Sequence, residues 1–326
     1  MPKAIRIHEQ GGSDVMQWED VDLPDRPPSG HVRLEQSHVG LNYIDVYHRS
    51  GLYPVPELPV VIGLEGAGTV AAVADDVSEL KQGDRVAYAS PPLGAYAEVR
   101  DMPADRLVKL PEGIDGKQAA AMMLQGMTVQ YLIRRTYRVQ KGETVLFHAA
   151  AGGVGLIACQ WLKHLGVTVI GTVGSPEKAE LAKAHGCTHT INYREENFAE
   201  RVSELTDGKG VPVVYDSVGK DTWEGSLDCL QPMGMMVSFG NSSGAIPPVD
   251  LGILSAKGSL YVTRPTLMTY TAKRDDLVAS AKELFEVVRS GAVQIEANQT
   301  YALKDAKQAH DDLEARKTTG STVFEV

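Results

Sequence analysis

The chain reads as an α/β protein of two domains, one small and mostly antiparallel β, the other a parallel sheet threaded by helices. Three observations lead there. The length, 326 residues with 43% hydrophobic and 23% charged, is ordinary for globular protein and exceeds what one core usually sustains. Residues 1 to about 125 are short apolar runs broken by Gly and Pro. From about residue 126 the texture changes to strands and helices in alternation.

In the first part, Val32–Glu35 and Thr69–Val73 are strand-like. Gly30, Gly51, Gly63, Gly66, Gly68, Gly83 and Gly94 punctuate them, with Pro24, Pro27, Pro28, Pro54, Pro56 and Pro59. In the second, a helical stretch Thr128–Arg138 leads to the apolar strand Thr144–His148. A glycine turn, a helix Val154–Leu165 stopped by Gly166 and a strand Val167–Val173 follow. The next helix has Ser175 as N-cap, Pro176 at its first position and Gly186 past its end. Strands are expected at Val211–Tyr215 and Met235–Phe239, with a helix through Asp221–Leu230 between them. Such spacing means crossover connections in a parallel sheet. Beyond Gly258–Thr263, amphipathic helices at about 275–289 and 304–317 flank a last strand, Ser321–Val326. Residues 1–125 and 266–326 are expected to form one discontinuous domain, and 126–265 the other.

The formal net charge of −10 argues against attraction to nucleic acid or to an anionic membrane. MPKAIRIHEQGGSD lacks the apolar run of a signal peptide, and AAAMML and VTVIGTV are far shorter than the roughly 20 residues of a membrane span. Cys159, Cys187 and Cys229 are widely spaced with no C-x-x-C, so neither a disulfide framework nor a cysteine zinc clip is expected. A reducing, cytoplasmic setting fits best.

The strongest local signal is GETVLFHAAAGGVGLIACQWLK, Gly142 to Lys163. A strand ends at His148, then come Gly152, Gly153 and Gly155, then a helix. Glycine lets backbone approach a pyrophosphate, the helix N-terminus offers unpaired N–H groups, and the last glycine permits close helix–strand packing. Ala150 stands where the first glycine of G-x-G-x-x-G would be. Alone, the cluster is equally a tight turn; inside a β-α array it reads as dinucleotide binding. An acid at the tip of the second strand would bind the ribose of NAD, but the sequence there is Gly174-Ser175-Pro176-Glu177-Lys178. Room, a hydroxyl and a cation fit a 2′-phosphate; the bland alternative makes Ser175 a cap and Lys178 a solvated side chain. Glu177 weakens the NADPH reading if it turns inward.

Gly142-Glu143-x-x-Leu146-x-x-x-Ala150-Ala151-Gly152-Gly153-Val154-Gly155, with Gln160 and Lys163, resembles the motif of the quinone oxidoreductase (zeta-crystallin-like) family of the medium-chain dehydrogenase/reductase superfamily. GLNYIDVYHRSGLYP, GLEGAGTV, GDRVAY, INYREENF, VVYDSVG and SFGNSSG resemble it too, nearly end to end and closest to bacterial members. The resemblance implies a GroES-like catalytic domain from both chain ends, a central doubly wound Rossmann domain, NADPH in the cleft between them, and a homodimer through the Rossmann domains. It further implies Asn42, Asp45 and Tyr47 near the nicotinamide, with Asn42, Tyr47 and Tyr53 lining the substrate pocket. Thr128, Gly152, Gly153 and Val154 attend the pyrophosphate and nearby ribose, and Gly174, Ser175, Lys178 and Tyr193 the adenosine phosphate. Ser217, Phe239, Gly240, Asn241 and Ser242 follow the later strands, with Thr263, Arg264 and Lys317 as further cofactor residues.

Zinc-dependent relatives carry a cysteine where Asn42 stands and a histidine where Leu64 stands, and no four-cysteine lobe is present. No metal is expected. Without a Lewis acid, the acceptor has to be electrophilic already: a quinone, or as an alternative an enone, alkenal or enoyl-thioester. A structural or RNA-binding role, known among zeta-crystallin-like proteins, is disfavoured by the acidic charge. Tyr47, Tyr53, Asp45 and His48 read either as a proton-donor cluster or as pocket walls with a surface histidine, and the latter is favoured; no catalytic residue is assigned. His148 reads as a structural strand-end residue and not as a base.

Overall fold

A computed structural model describes residues 1–55 and 57–326; Pro56 lies outside the described residues. The chain forms two compact units, Met1–Met127 with Thr271–Arg289 and Ile295–Val326, and Thr128–Tyr270 with Ser290–Gln294. The expected boundaries at 126 and 266 therefore move, and 290–294 joins the central unit. The reason is local pairing: Gln160 Nε2 donates to Gln294 O at 3.1 Å, Gln294 N donates back to Gln160 Oε1 at 2.8 Å, and Tyr270 stacks on Tyr131 at 4.5 Å.

The outer unit is a seven-stranded sheet and a three-stranded one, the latter of Met16–Asp20, Lys3–Ile7 and Val60–Val61. In the larger sheet the order is Ala297–Ala302, Ser321–Glu325, His31–Leu41, Glu65–Val73, Arg85–Ala89 and Val108–Lys109, and Val99–Pro103 also pairs with His31–Leu41. All pairs are antiparallel except Ala297–Ala302 with Ser321–Glu325. Alternation along His31–Leu41 turns Val32 and Leu34 into a core with Ile5, Ile7, Val86, Met102 and Phe324. A helix over Tyr43–Ser50 follows that strand, a segment the sequence marked only by its polar and aromatic side chains.

The central unit holds strands β1 (Thr144–Phe147), β2 (Thr168–Val173), β3 (His189–Asn192), β4 (Val211–Asp216), β5 (Leu230–Ser238) and β6 (Tyr261–Thr263). They lie parallel in the order 3-2-1-4-5-6, the doubly wound order that reverses between β1 and β4. Helices α1 (Gly153–His164), α2 (Pro176–Ala184), α3 (Phe198–Leu205) and α4 (Trp223–Asp228) lie between successive strands. The strands are short apolar runs because a sheet covered on both faces has no polar side to present. The helix expected over 128–138 begins earlier, as Met123–Tyr131, and passes into a π-helical turn Leu132–Thr136. Among the described residues no helix is long and apolar enough to cross a membrane.

Candidate active site

In the central unit the carboxyl ends of the strands gather most of the expected cofactor residues. After β1 the chain turns through Ala149 at φ 54 and enters α1 with Gly152 as N-cap, where no side chain caps the first turn. Gly152 N–H donates to Ala149 O at 2.9 Å, and the first turn of α1, at Gly153 and Val154, has no side-chain cap, the kind of helix start at which anions can bind. A Cβ at Gly155 would lie 2.3 Å from Ala149 O, so the helix reaches the turn only because that residue is glycine. The departure at Ala150 is also explained: a Cβ at Gly171 of β2 would lie 2.5 Å from the Ala150 methyl, which occupies the space that Gly171 leaves.

The β2 tip holds Gly174, Ser175, Glu177 and Lys178, with Tyr193 from the end of β3 against it. A Cβ on Gly174 would lie 2.6 Å from Tyr193 Oη, so these two residues are brought face to face. Ser175 caps α2, its Oγ accepting from Lys178 N–H at 3.3 Å. Glu177 engages the same serine: the Ser175 hydroxyl donates to its carboxylate and holds it below the usual range. Beyond β4 and β5, Ser242 N–H donates to Ser217 O at 3.1 Å, and a Cβ on Gly240 would be 2.5 Å from Ser217 O. Ser217 thereby joins Phe239, Gly240, Asn241 and Ser242 in one packed rim. Thr263 ends β6, Arg264 follows it, and Thr128 is buried in the helix Met123–Tyr131.

The outer unit holds the others around the helix Tyr43–Ser50. Asn42 caps that helix, its N–H donating to Asp45 Oδ2 at 2.9 Å. Its side chain is fixed on both sides: Nδ2 donates to Glu65 Oε2 at 2.6 Å, and Oδ1 accepts from Gln125 Nε2 at 3.2 Å. Glu65 Oε1 accepts from Leu124 N–H at 2.7 Å, and Gln125 Oε1 from Ser321 Oγ at 2.7 Å. A Cβ on Gly40 would lie 2.3 Å from Glu65 Oε2, so glycine there admits the carboxylate. Leu64 is buried core. Among the described residues no three His, Cys, Asp or Glu side chains gather as metal ligands.

Asp45 is wholly buried, with Oδ2 accepting from Asn42 and, at 3.1 Å, from Tyr96 Oη. Its Oδ2 thus serves both the cap at Asn42 and the Tyr96 hydroxyl, while Oδ1 is buried with no hydrogen-bond partner among the described residues. Tyr96 Oη meets His310 Nε2 at 3.0 Å, Arg49 Nη1 meets His310 Nδ1 at 3.3 Å, and Arg49 Nη2 pairs with Glu314 at 2.8 Å. Tyr47 and Tyr53 stand edge to face at 5.1 Å, and His48 packs on Tyr53 at 6.0 Å. His48 is half-buried and not the surface residue expected; burial lowers its proton affinity. Lys317 is exposed and paired to Asp312 at 3.1 Å. Glu65, Gln125, Tyr96 and His310 escaped the sequence reading, although GLEGAG displayed the acid that matters.

The family model for the alcohol dehydrogenase GroES-like domain matches residues 28–112, and that for zinc-binding dehydrogenase matches residues 153–284. Quinone oxidoreductase of Pseudomonas aeruginosa is 58% identical over 324 residues, 99% of each chain. A 2-haloacrylate reductase of a Burkholderia species is 46% identical over 333 residues, again 99% of each. The crystal structure of Escherichia coli quinone oxidoreductase complexed with NADPH matches with a TM-score of 0.97 at 51% identity, covering 99% of this chain and 100% of that one. A GroES-like domain with a Rossmann domain is the architecture of the medium-chain dehydrogenases and reductases. Within that superfamily the chain belongs to the quinone oxidoreductase family.

Burial raises Asp45 to about 7, against hydrogen bonds from Asn42 and Tyr96, and raises Glu65 to about 8, with Asp45 adding to the effect. The unfolded chain ionises both near their ordinary values of 3.8 and 4.5, so each group costs stability as pH rises from there toward 7 or 8. Burial and Arg49 lower His310 to about 3, so it costs stability only below its unfolded value of 6.5. Between pH 6.5 and 8, Glu65→Gln is therefore expected to gain on wild type by up to about 1.4 kcal/mol per pH unit. Urea midpoints across that window check it, and a constant difference would mean that Glu65 is ionised throughout.

Proposed function

We propose that the chain is an NADPH-dependent quinone oxidoreductase that works without zinc. The observation that carries the reading is the clamp on Asn42: where zinc enzymes keep a thiolate, an amide is held between Glu65 and Gln125. Nothing in such a clamp polarises an isolated ketone, whereas a quinone delocalises the charge it receives and takes its proton from water. Rate then comes from holding cofactor and acceptor in contact.

NADPH, when bound, supplies the hydride. The first amides of α1 with Gly152, Gly153, Val154 and Thr128 would hold its pyrophosphate and nearby ribose. Gly174, Ser175, Lys178 and Tyr193 would take the adenosine phosphate, and Ser217 and Phe239–Ser242 the rest of the strand rim. Asn42, oriented by Glu65 and Asp45, would face the nicotinamide, and Tyr47 and Tyr53 would wall the acceptor. The roles of Thr263, Arg264 and Lys317, and the seat of the acceptor between the two domains, rest on the family resemblance.

The likeness to a 2-haloacrylate reductase favours a second reading, reduction of another conjugated acceptor such as an enone, alkenal or enoyl-thioester with the same cofactor. The free, buried thiols of Cys159, Cys187 and Cys229 fit a reducing cytoplasm. We also infer a homodimer through the edge of the Rossmann sheet. At β6, Tyr261 is 58% exposed, and Met233 nearby in β5 is 69% exposed. An open apolar edge of this kind invites a two-fold partner.

Initial rates with NADPH are expected to be highest on quinones and unchanged by a strong chelator; zinc-restorable loss, or faster turnover of 2-alkenals, would overturn the reading. Light scattering at micromolar concentration is expected to give twice the monomer mass, and a monomer would count against the edge pairing. Lys178→Ala is expected to weaken NADPH by roughly ten- to thirtyfold, the value of a charged hydrogen bond reduced by screening, and to leave NADH nearly unchanged. Cofactor titrations measure this, and equal losses would remove Lys178 from the phosphate pocket.

A further inference from the structure

His148 follows the last residue of β1, immediately before the glycine turn, and is 1% exposed with Phe198 edge-on at 5.0 Å. Both ring nitrogens are engaged, and the geometry fixes their roles. Ser226 Oγ donates to Asp216 Oδ2 at 2.9 Å, so its oxygen accepts from His148 Nε2–H, also at 2.9 Å. His148 Nδ1 is then the bare nitrogen and accepts from Thr172 Oγ1–H at 2.9 Å. Thr172 Oγ1 in turn accepts from Ala149 N–H at 3.3 Å. Every donor in this series points toward the Asp216 carboxylate, the arrangement in which hydrogen bonds polarise one another. Burial lowers the proton affinity of His148 and keeps the ring in the neutral form that the series requires.

The series joins three strand tips. Asp216, at the end of β4, also accepts from Thr222 Oγ1 at 2.7 Å and from the N–H groups of Val218 and Gly219 at 2.7 and 3.0 Å, shaping the turn after Ser217. Thr172 lies in β2, two residues before Gly174, and its carbonyl accepts from Ala150 N–H at 3.0 Å. At the other end stands Ala149, whose φ of 54 lies in the left-handed region that a residue with a Cβ enters only at a cost. That conformation aims the chain into α1.

We propose that His148 is a positioning residue for NADPH, coupling Asp216 through Ser226 to Thr172 and so holding Ala149 in the left-handed turn that presents the α1 amides to the pyrophosphate. This rests on the glycine turn being the NADPH site, and the test separates the two. Thr172→Val removes the hydroxyl and keeps the shape, Thr172→Ser keeps the hydroxyl, and Ser226→Ala cuts the series on the other side of the ring. Dissociation constants for NADPH and NADH are measured directly by titration, with the melting temperature of each protein without cofactor.

Thr172→Val and Ser226→Ala are each expected to weaken NADPH about tenfold, the scale of one buried hydrogen bond. NADH is expected to weaken in the same proportion, because both cofactors carry the pyrophosphate. Rates at saturating cofactor stay within about twofold, Thr172→Ser binds as wild type, and the double variant loses no more than the worse single one, since both cut one series. Lower melting temperatures with unchanged dissociation constants, or fully additive losses, would overturn the positioning role. Wild type that fails to bind NADPH would overturn the cofactor reading itself.

Discussion

Where α1 meets the turn after β1 the packing admits no side chain at Gly155, and the central unit is arranged around that constraint. Helix α1 approaches until a methyl group at Gly155 would overlap Ala149 O. The methyl of Ala150 finds space only over Gly171 in the neighbouring strand, and Gly174 yields its own space to the Tyr193 hydroxyl. Bareness at one strand tip is thus met by bulk from the next. The result is a tightly packed turn that leads into a helix whose first turn has no side-chain cap.

The outer unit solves a different problem, the burial of two acids, Asp45 and Glu65. Asp45 and Arg49 lie one turn apart on the helix Tyr43–Ser50, and both are buried. Their charges are linked through two side chains, Tyr96 and His310, while Glu314 meets Arg49 nearer the surface. A buried charge without such partners is costly. The helix is consequently pinned at both ends, and Asn42, its cap, inherits that rigidity. The carboxylate of Glu65 completes the hold from the adjacent strand.

The parallel sheet was legible because its signals are local: apolar runs of strand length, Ser175 and Pro176 opening α2, Gly186 closing it. The glycine turn was legible for the same reason. The helix Tyr43–Ser50 was not, because Asp45 and Arg49 face inward and spoil the apolar periodicity that announces a helix. The clamp on Asn42 was hidden by distance in sequence, since Gln125 and Ser321 lie 83 and 196 residues from the groups they hold. The parallel pairing of Ala297–Ala302 with Ser321–Glu325 likewise has no signature in either segment. His148 was legible as a strand-end residue, but its direction of donation depends on Ser226 and Asp216, which only the fold brings to it.

The last strand, Ser321–Glu325, lies inside its sheet, between Ala297–Ala302 and His31–Leu41. The sheet next to Asn42 is therefore assembled from strands nearly 300 residues apart, while every strand of the central sheet lies within residues 144–263. Closing a sheet with its first long strand and its final one joins residues far apart in sequence, the kind of contact that slows folding. Ser321–Glu325 is thus an interior strand, and Phe324 on it is part of the core.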